Sequence, residues 1–571
     1  MSSVFDLAND RLSYSELLRP DAGYTLDFAV GMTYSLDLEA LLGVPVSLGL
    51  LDEADESNLR SPLYVLEAIR KSADRIALFC NAGGIKLPDK IQSVYSLLEN
   101  SVFQVKLTKT SNFHPKIWVL KYSQNGEGSY IKLLVMSRNL TFDSSIDISA
   151  ALQGPIGEEE SEKNRPLADF LRYVAHFADS KKRPQVLALA DDVLKVTAFE
   201  VDPPFEDYDF FPIGIPGYSG NNFPLFGQKS DLFLVSPFLS DETVQKMTQF
   251  KGNKRLVTRK SSVTPAVMEA FDHVYVTKDV LSDNEYGAQQ DIHAKIYYTT
   301  TRMANYLYLG SANASQNAFY KNIECLLRLR YKLYSVGFWR FADDFIPKEN
   351  CPYEELTEVP EQQAEDSRKK ELDKALKEAV YALKRAVVIQ DGNRYSVTVD
   401  ARPLKTTERV MIAPLQRPDL VRPMEEHLQF SGLLLKELSE FYVLSIDSQK
   451  LITKVVTRDM PKDRDQEIYR SIIDSKAKFM SYLSFVLSGD LSEGASEMAD
   501  LQEAMLQANG NTFGGQISAA LYEQMLRVFH QNPSKLKGIS DMIRRLDPDV
   551  VGEEFLDMYR QFEAAAKKVR R

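Results

Sequence analysis

Two periodicities interleave along the first 350 or so residues. Short apolar runs of strand character cover residues 24–33, 75–80 and 103–107, and further β-rich runs follow residue 114 and lead up to residue 136. Between and after them, apolar positions recur with helical spacing at about 35–51, 59–73, 166–179 and 184–194. Strands alternating with helices predict an α/β fold with a large buried sheet. Residues 202–228, crowded with Pro, Gly, Phe and Tyr, are expected to form an ordered loop whose rings pack rather than stack on bases.

Beyond residue 350 the pattern changes. Leu372, Ala375, Leu376, Ala379, Val380 and Leu383 form one apolar stripe with charged flanks, which predicts a helix. The runs YSVTV, RVMIAPL, FYVLSI and LITKVVT then predict a β-rich module, with Asp391-Gly392 as a hairpin signal. From about residue 463 the spacing is helical, punctuated by Gly489, the glycines at 510–515 and Pro533, and it ends in a basic tail of Lys567, Lys568, Arg570 and Arg571. The expected division is a first α/β half over 1–195, a second over 196–350, a helical linker over 351–385, a β-rich module over 386–460 and a helical region over 461–571.

Composition narrows the classes. A chain of 571 residues, 44% hydrophobic, exceeds one core and should hold about three or four domains. A formal charge of −11 excludes a globally basic surface, so any polyanion must be held in a local cationic cleft. Three cysteines without a CxxC pair argue against a disulfide framework or a zinc ribbon. No signal-peptide pattern and no run of 18 apolar residues is present, so the expectation is a cytoplasmic protein that does not enter a membrane.

The chemistry lies in a repeat. His114-Pro-Lys116-Ile-Trp matches His293-Ala-Lys295-Ile-Tyr, and Ser137-x-Asn139-x-Thr141 matches Ser311-x-Asn313-x-Ser315. Of the six histidines, only His114 and His293 are followed at the second position by lysine, and both have Ser-x-Asn downstream. The same order of strands and helices surrounds both copies, which makes this a duplication of a whole α/β unit.

The duplicated H-x-K and S-x-N pattern resembles the phospholipase D superfamily, over about residues 20–350. That resemblance implies two similar halves packed as a pseudo-dimer, each supplying half of one site, so that no oligomer is required. The aspartate usual five positions after the lysine is replaced by Lys121 and Thr300. Its absence is similar to the nuclease and tyrosyl-DNA phosphodiesterase branches, which favours DNA over lipid as substrate.

What the resemblance implies for the site is a metal-independent phosphodiesterase without cofactor. One imidazole attacks phosphorus and a second protonates the leaving oxygen, His114 being favoured as nucleophile and His293 as acid/base. Lys116, Lys295, Asn139 and Asn313 bind the nonbridging oxygens, with Ser137 and Ser311 as further donors. Glu324 stands where the family carries a carboxylate that orients a histidine; aligning Asp147-Ile-Ser149 with Asn322-Ile-Glu324 puts Ser149 in that place in the first half and makes the halves asymmetric. Arg138 either grips a phosphate or pairs with an acid. Arg259 and Lys260 are expected to be solvated, and Trp118 and Tyr297 to be core. By association with bacterial defence nucleases, the expected partners are DNA and a helicase or translocating ATPase. The alternatives are a phospholipid hydrolase and an inactive nucleic-acid-binding scaffold.

Overall fold

The computed structural model describes residues 14–48, 62–124, 128–141, 145–278, 291–332, 335–349, 351–361, 367–488, 525 and 533–569. The glycines expected to punctuate the C-terminal helices, Gly489 and those at 510–515, lie outside the described residues, as do Arg570 and Arg571 of the basic tail.

In the first half the strands are β1 (Thr25–Thr33), β2 (Leu36–Asp37), β3 (Ile76–Asn81), β4 (Ile85–Lys86), β5 (Val102–Val105), β6 (Ile117–Gln124), β7 (Gly128–Met136), β8 (Ser145–Ile146) and β9 (Ser149–Pro155). The second half holds β10 (Phe205–Ile213), β11 (Asp231–Val235), β12 (Lys254–Thr258), β13 (His273–Thr277), β14 (Asp291–Ile292), β15 (Ile296–Thr300), β16 (Asn305–Gly310), β17 (Glu324–Tyr331) and β18 (Tyr353–Glu355).

The first sheet runs β5-β3-β1-β6-β7-β9, and the second contains the same path as β13-β12-β11-β15-β16-β17, with β10 and β18 added at its two edges. Pairing directions also repeat: β1 is parallel to β3 and antiparallel to β6, as β11 is to β12 and β15. The expected α/β class and duplication are therefore present in strand order and direction.

Side chains alternate across both sheets, as the period of two along a strand requires. Val30, Met32, Val119 and Leu133 of the first sheet join Phe233, Val235, Leu307 and Leu327 of the second in one shared core. The opposite face of the second sheet, with Leu234, Leu256 and Tyr297, is covered by residues of its own helices such as Val244, Val267 and Phe319. The opposite face of the first, with Leu78, Trp118 and Leu120, packs with Phe479, Leu483, Ile539 and Phe562 of the C-terminal helices. Trp118 and Tyr297 are indeed buried core residues. Each such large side chain taken out of water contributes about 2 kcal/mol.

The segment expected as a loop at 202–228 begins instead with a nine-residue strand, β10, paired antiparallel with β17 from Phe205↔Tyr331 to Ile213↔Glu324. Prolines at 203, 204 and 212 mask the signal, yet Pro is tolerated on an edge strand because its missing donor faces outward. Its rings do pack, Phe205 on Tyr331 and Phe211 on Phe223.

The appended parts are bound to the first half. The helix Ser367–Ala382 leads into the hairpin Leu383–Asp391 and Arg394–Ala401, and a second sheet of the module continues into the first half through β4, where Ile452 pairs with Ile85. Glu99, buried, takes the Arg464 guanidinium at 2.5 Å and the Ser439 hydroxyl at 2.6 Å. No helix among the described residues is long and apolar enough to cross a membrane.

Candidate active site

The two histidines begin the hairpins β6–β7 and β15–β16 at the same end of their sheets. Each is placed by the other half. Phe113 forms a parallel bridge with Ile323, and the His114 amide donates to Ile323 O at 2.9 Å. Reciprocally, β14 pairs in parallel with β8, and the amides of His293 and Ala294 donate to Ile146 O at 3.0 and 2.9 Å. Neither motif stands without a strand from its counterpart.

Both lysines are buried, Lys116 2% and Lys295 4% exposed. Each ammonium donates back to the carbonyl of its own histidine, Lys116 to His114 O at 2.9 Å and Lys295 to His293 O. Burial pulls Lys116 down to about 7, with Lys295 lowering it further while Glu324 and Asp147 pull it upward. Two like charges in one dry cleft explain that direction, and an incoming anion would relieve it.

His114 Nδ1 lies 2.8 Å from Glu324 Oε2, in a side chain 17% exposed against a carboxylate wholly buried. Glu324 Oε2 also accepts from the Ser311 hydroxyl at 2.5 Å, and Oε1 from the Asn322 amide at 3.1 Å. With Nδ1–H facing the carboxylate, the His114 Nε2 lone pair points away from Glu324, with the Lys116 ammonium 3.2 Å from it. Burial lowers the pKa of His114 below the usual histidine value, Glu324 pulls it back up, and Lys116 and Lys295 lower it. The Tyr34 ring lies 5.0 Å from the His114 ring, tilted by 55°.

The first half carries the same device, two positions away from where the sequence alignment put it. Ser137 Oγ donates to Asp147 Oδ1 at 2.7 Å and accepts from Ile148 N at 2.9 Å. Ser311 Oγ donates to Glu324 and accepts from Cys325 N at 3.0 Å. Ser145 Oγ, at 2.6 Å from Asp147 Oδ2, takes the part of Asn322. Asp147, not Ser149, is thus the counterpart of Glu324, and the expected serine-for-glutamate asymmetry does not exist; Ser149 instead pairs with Met136 in the sheet. The two registers differ by two residues, which leaves every side chain on the same face, so hydropathy could not choose between them. The acid itself was the signal that could have.

Asn139 Oδ1 is 3.5 Å from the Ser35 amide. Asn313 is 9% exposed, and its buried Oδ1 accepts no hydrogen bond among the described residues. Since amide O and N are assigned from their partners, that corner offers either a donor or an acceptor to a ligand. Gly310, at φ 145°, lets β16 end against Cys325 O, where a Cβ would come within 2.4 Å. Arg138 donates to Thr141 O of its own turn at 3.4 Å. The side chains five positions after the two lysines bond to acids elsewhere: Lys121 Nζ to Asp192 at 2.8 Å, and Thr300 Oγ1 to Asp231 at 2.5 Å. Among the described residues, no group of three or more His, Cys, Asp or Glu could hold a metal ion.

No protein-family model and no curated protein matches the chain. Among solved structures, it is similar to yeast tyrosyl-DNA phosphodiesterase, at 13% identity over 55% of this chain and 85% of that one, with a TM-score of 0.34. A histidine variant of the same yeast enzyme gives 12% identity, the same coverage and 0.35. Polyphosphate kinase from Porphyromonas gingivalis gives 11% identity over 54% of this chain and 40% of that one, at 0.30. These are likenesses of chain course, and the chemical reading stands on the site's own geometry.

Proposed function

We propose that the chain is a metal-independent phosphodiesterase of the phospholipase D kind and that it cleaves nucleic acid, DNA first, as a nuclease. The observation that carries this reading is the reciprocal one: the amide of each motif histidine donates to the residue just before the other half's carboxylate, Ile323 before Glu324 and Ile146 before Asp147, and each carboxylate holds the serine of its own half.

In the first step His114 Nε2 attacks phosphorus, the P–O bond to the leaving group breaks, and protonated His293 gives its proton to the departing oxygen. A phosphohistidine results. In the second, His293 takes a proton from water, the water oxygen attacks phosphorus, and the P–N pair returns to His114. Glu324 holds the Nδ1 proton and stabilises positive charge on the ring, as an orienting carboxylate does. Lys116 and Lys295 meet the nonbridging oxygens, and Asn139 and Asn313 flank them. The favoured nucleophile is His114, whose ring a buried glutamate holds at 2.8 Å.

A net charge of −11 gains little from counterion release, so on this proposal a helicase or translocating ATPase brings the nucleic acid to the cleft, as in defence against foreign DNA. The test is hydrolysis of single-stranded DNA, duplex DNA, RNA and phospholipid in EDTA, by the parent chain and by His114→Ala and His293→Ala. Cleavage of nucleic acid by the parent alone is expected. Activity that survives both substitutions, requires metal, or falls only on phospholipid refutes the reading.

A further inference from the structure

The two halves repeat in hydrogen bonds but differ at the sheet ends beside the histidines, and there the second half presents an aromatic ring backed by a cation. We propose that Phe238 and Arg259 form a stacking subsite for an unpaired base of the strand being cut, so that the strand leaves the histidines over the second half. This subsite rests on the nuclease reading above and adds how the substrate is held.

Both residues sit just past the C-terminal ends of parallel strands, where open α/β sheets bind ligands. Ser236, after β11, accepts from Ala314 N at 3.0 Å and donates to Phe238 O at 2.8 Å, which ties Phe238 to the turn after Asn313. Arg259, after β12, donates to Ile292 O at 3.3 Å, next to His293. The guanidinium carbon stands 4.5 Å from the Phe238 ring centroid, and the phenylalanine is 50% exposed. One side of the ring thus has a cation against it while half of its surface meets solvent. Stacking on an aromatic beside arginine is how single strands are held without sequence choice.

The first half cannot do this. Thr33 takes the place of Ser236, accepting from Leu140 N at 3.0 Å and donating to Ser35 O at 2.7 Å, so Ser35 stands where Phe238 does. Asn81 stands where Arg259 does, and it faces inward to the Phe113 amide at 2.9 Å. That end is also covered: Gly83 lies against Val380, and the Lys106 ammonium donates to Val380 O at 3.2 Å and Leu383 O at 3.3 Å. The covering helix brings the negative charge of Asp373 to bear on Tyr34, beside His114. The same helix sets the Lys377 ammonium 2.9 Å from Asn112 Oδ1, so this side of the cleft is covered where the second half offers Phe238 and Arg259.

The test is binding by fluorescence anisotropy, with the His114→Ala chain to prevent turnover. Labelled oligothymidylate is compared with an abasic oligomer of the same length, with and without a second substitution at Phe238. The expected result is that oligothymidylate binds about tenfold tighter than the abasic strand, that Phe238→Ala removes this preference and that Phe238→Trp keeps it. Equal affinity for the two strands before substitution, or a preference that survives Phe238→Ala, overturns the subsite. A preference lost in Phe238→Ala together with no cleavage of the oligonucleotide by the parent chain supports the subsite and overturns the nuclease reading alone.

Discussion

The halves of this molecule are alike where a histidine must be oriented and unlike where anything must approach it. Ser137 and Asp147 repeat Ser311 and Glu324 down to the amide each serine accepts. Outside that frame the first half is capped by the helix Ser367–Ala382, and the second carries Phe238 and Arg259. The difference teaches that duplication kept the requirements of proton transfer, which both imidazoles share, and released those of substrate approach. Even the shared frame is not quite equal. Glu324 touches His114 directly, whereas the hydrogen bonds found for Asp147, one methylene shorter, come from the hydroxyls of Ser137 and Ser145.

The largest effect should come from the histidines themselves. His114→Ala and His293→Ala are each expected to lower kcat on DNA by at least about a thousandfold. A p-nitrophenyl diester separates them, because its leaving group needs no proton: in His293→Ala the first release of p-nitrophenol, the covalent step, should then recover about a hundredfold without steady turnover, while His114→Ala stays inactive. Recovery in both, or in His114→Ala alone, would break the assignment.

Next come the carboxylates. Glu324→Gln should cost about a hundredfold in kcat and Asp147→Asn about tenfold, in line with the loss of an orienting group. Equal losses would mean that the halves are functionally symmetric.

The pH profile of kcat/KM sharpens the same contrast. His114 must be neutral to attack, so activity falls as pH drops through its lowered pKa. Lys116 must be charged, so in the free protein activity falls again as pH rises through about 7. In kcat, the alkaline limb should move upward, because a bound phosphodiester anion favours the ammonium. Glu324→Gln removes an upward pull on His114 and should shift the acid limb lower.

Much of the two-half fold could be read from the chain before any coordinates, because the strand runs and the paired motifs carry the repeat. Three features could not. The register that makes Asp147 the counterpart of Glu324 differs by two residues from a plausible alternative that keeps the same faces inward. The edge strand at Phe205–Ile213 hides behind prolines that an edge tolerates. The third is the bonding of the appended parts to the first half, because the partners Glu99 and Arg464 lie far apart in sequence and each looks like an ordinary surface charge.

That last contact predicts an effect on stability rather than chemistry. Arg464 and Glu99 are 5% and 2% exposed, so Arg464→Met leaves a buried carboxylate unpaired and should destabilise the fold by about 3 kcal/mol, seen in denaturant unfolding. Activity per folded molecule should be unchanged, since the pair belongs to the cover of the first half and not to the cleft.

The central claim, one site with unequal histidines, is tested most directly by trapping the covalent intermediate. The His293→Ala chain, given a nucleoside 5′-(p-nitrophenyl phosphate), should release p-nitrophenol and gain one nucleotidyl group, mapped by peptide mass to His114 and absent from His114→Ala. A group found on His293 in the parent chain, on a serine, or on no residue during turnover would contradict it.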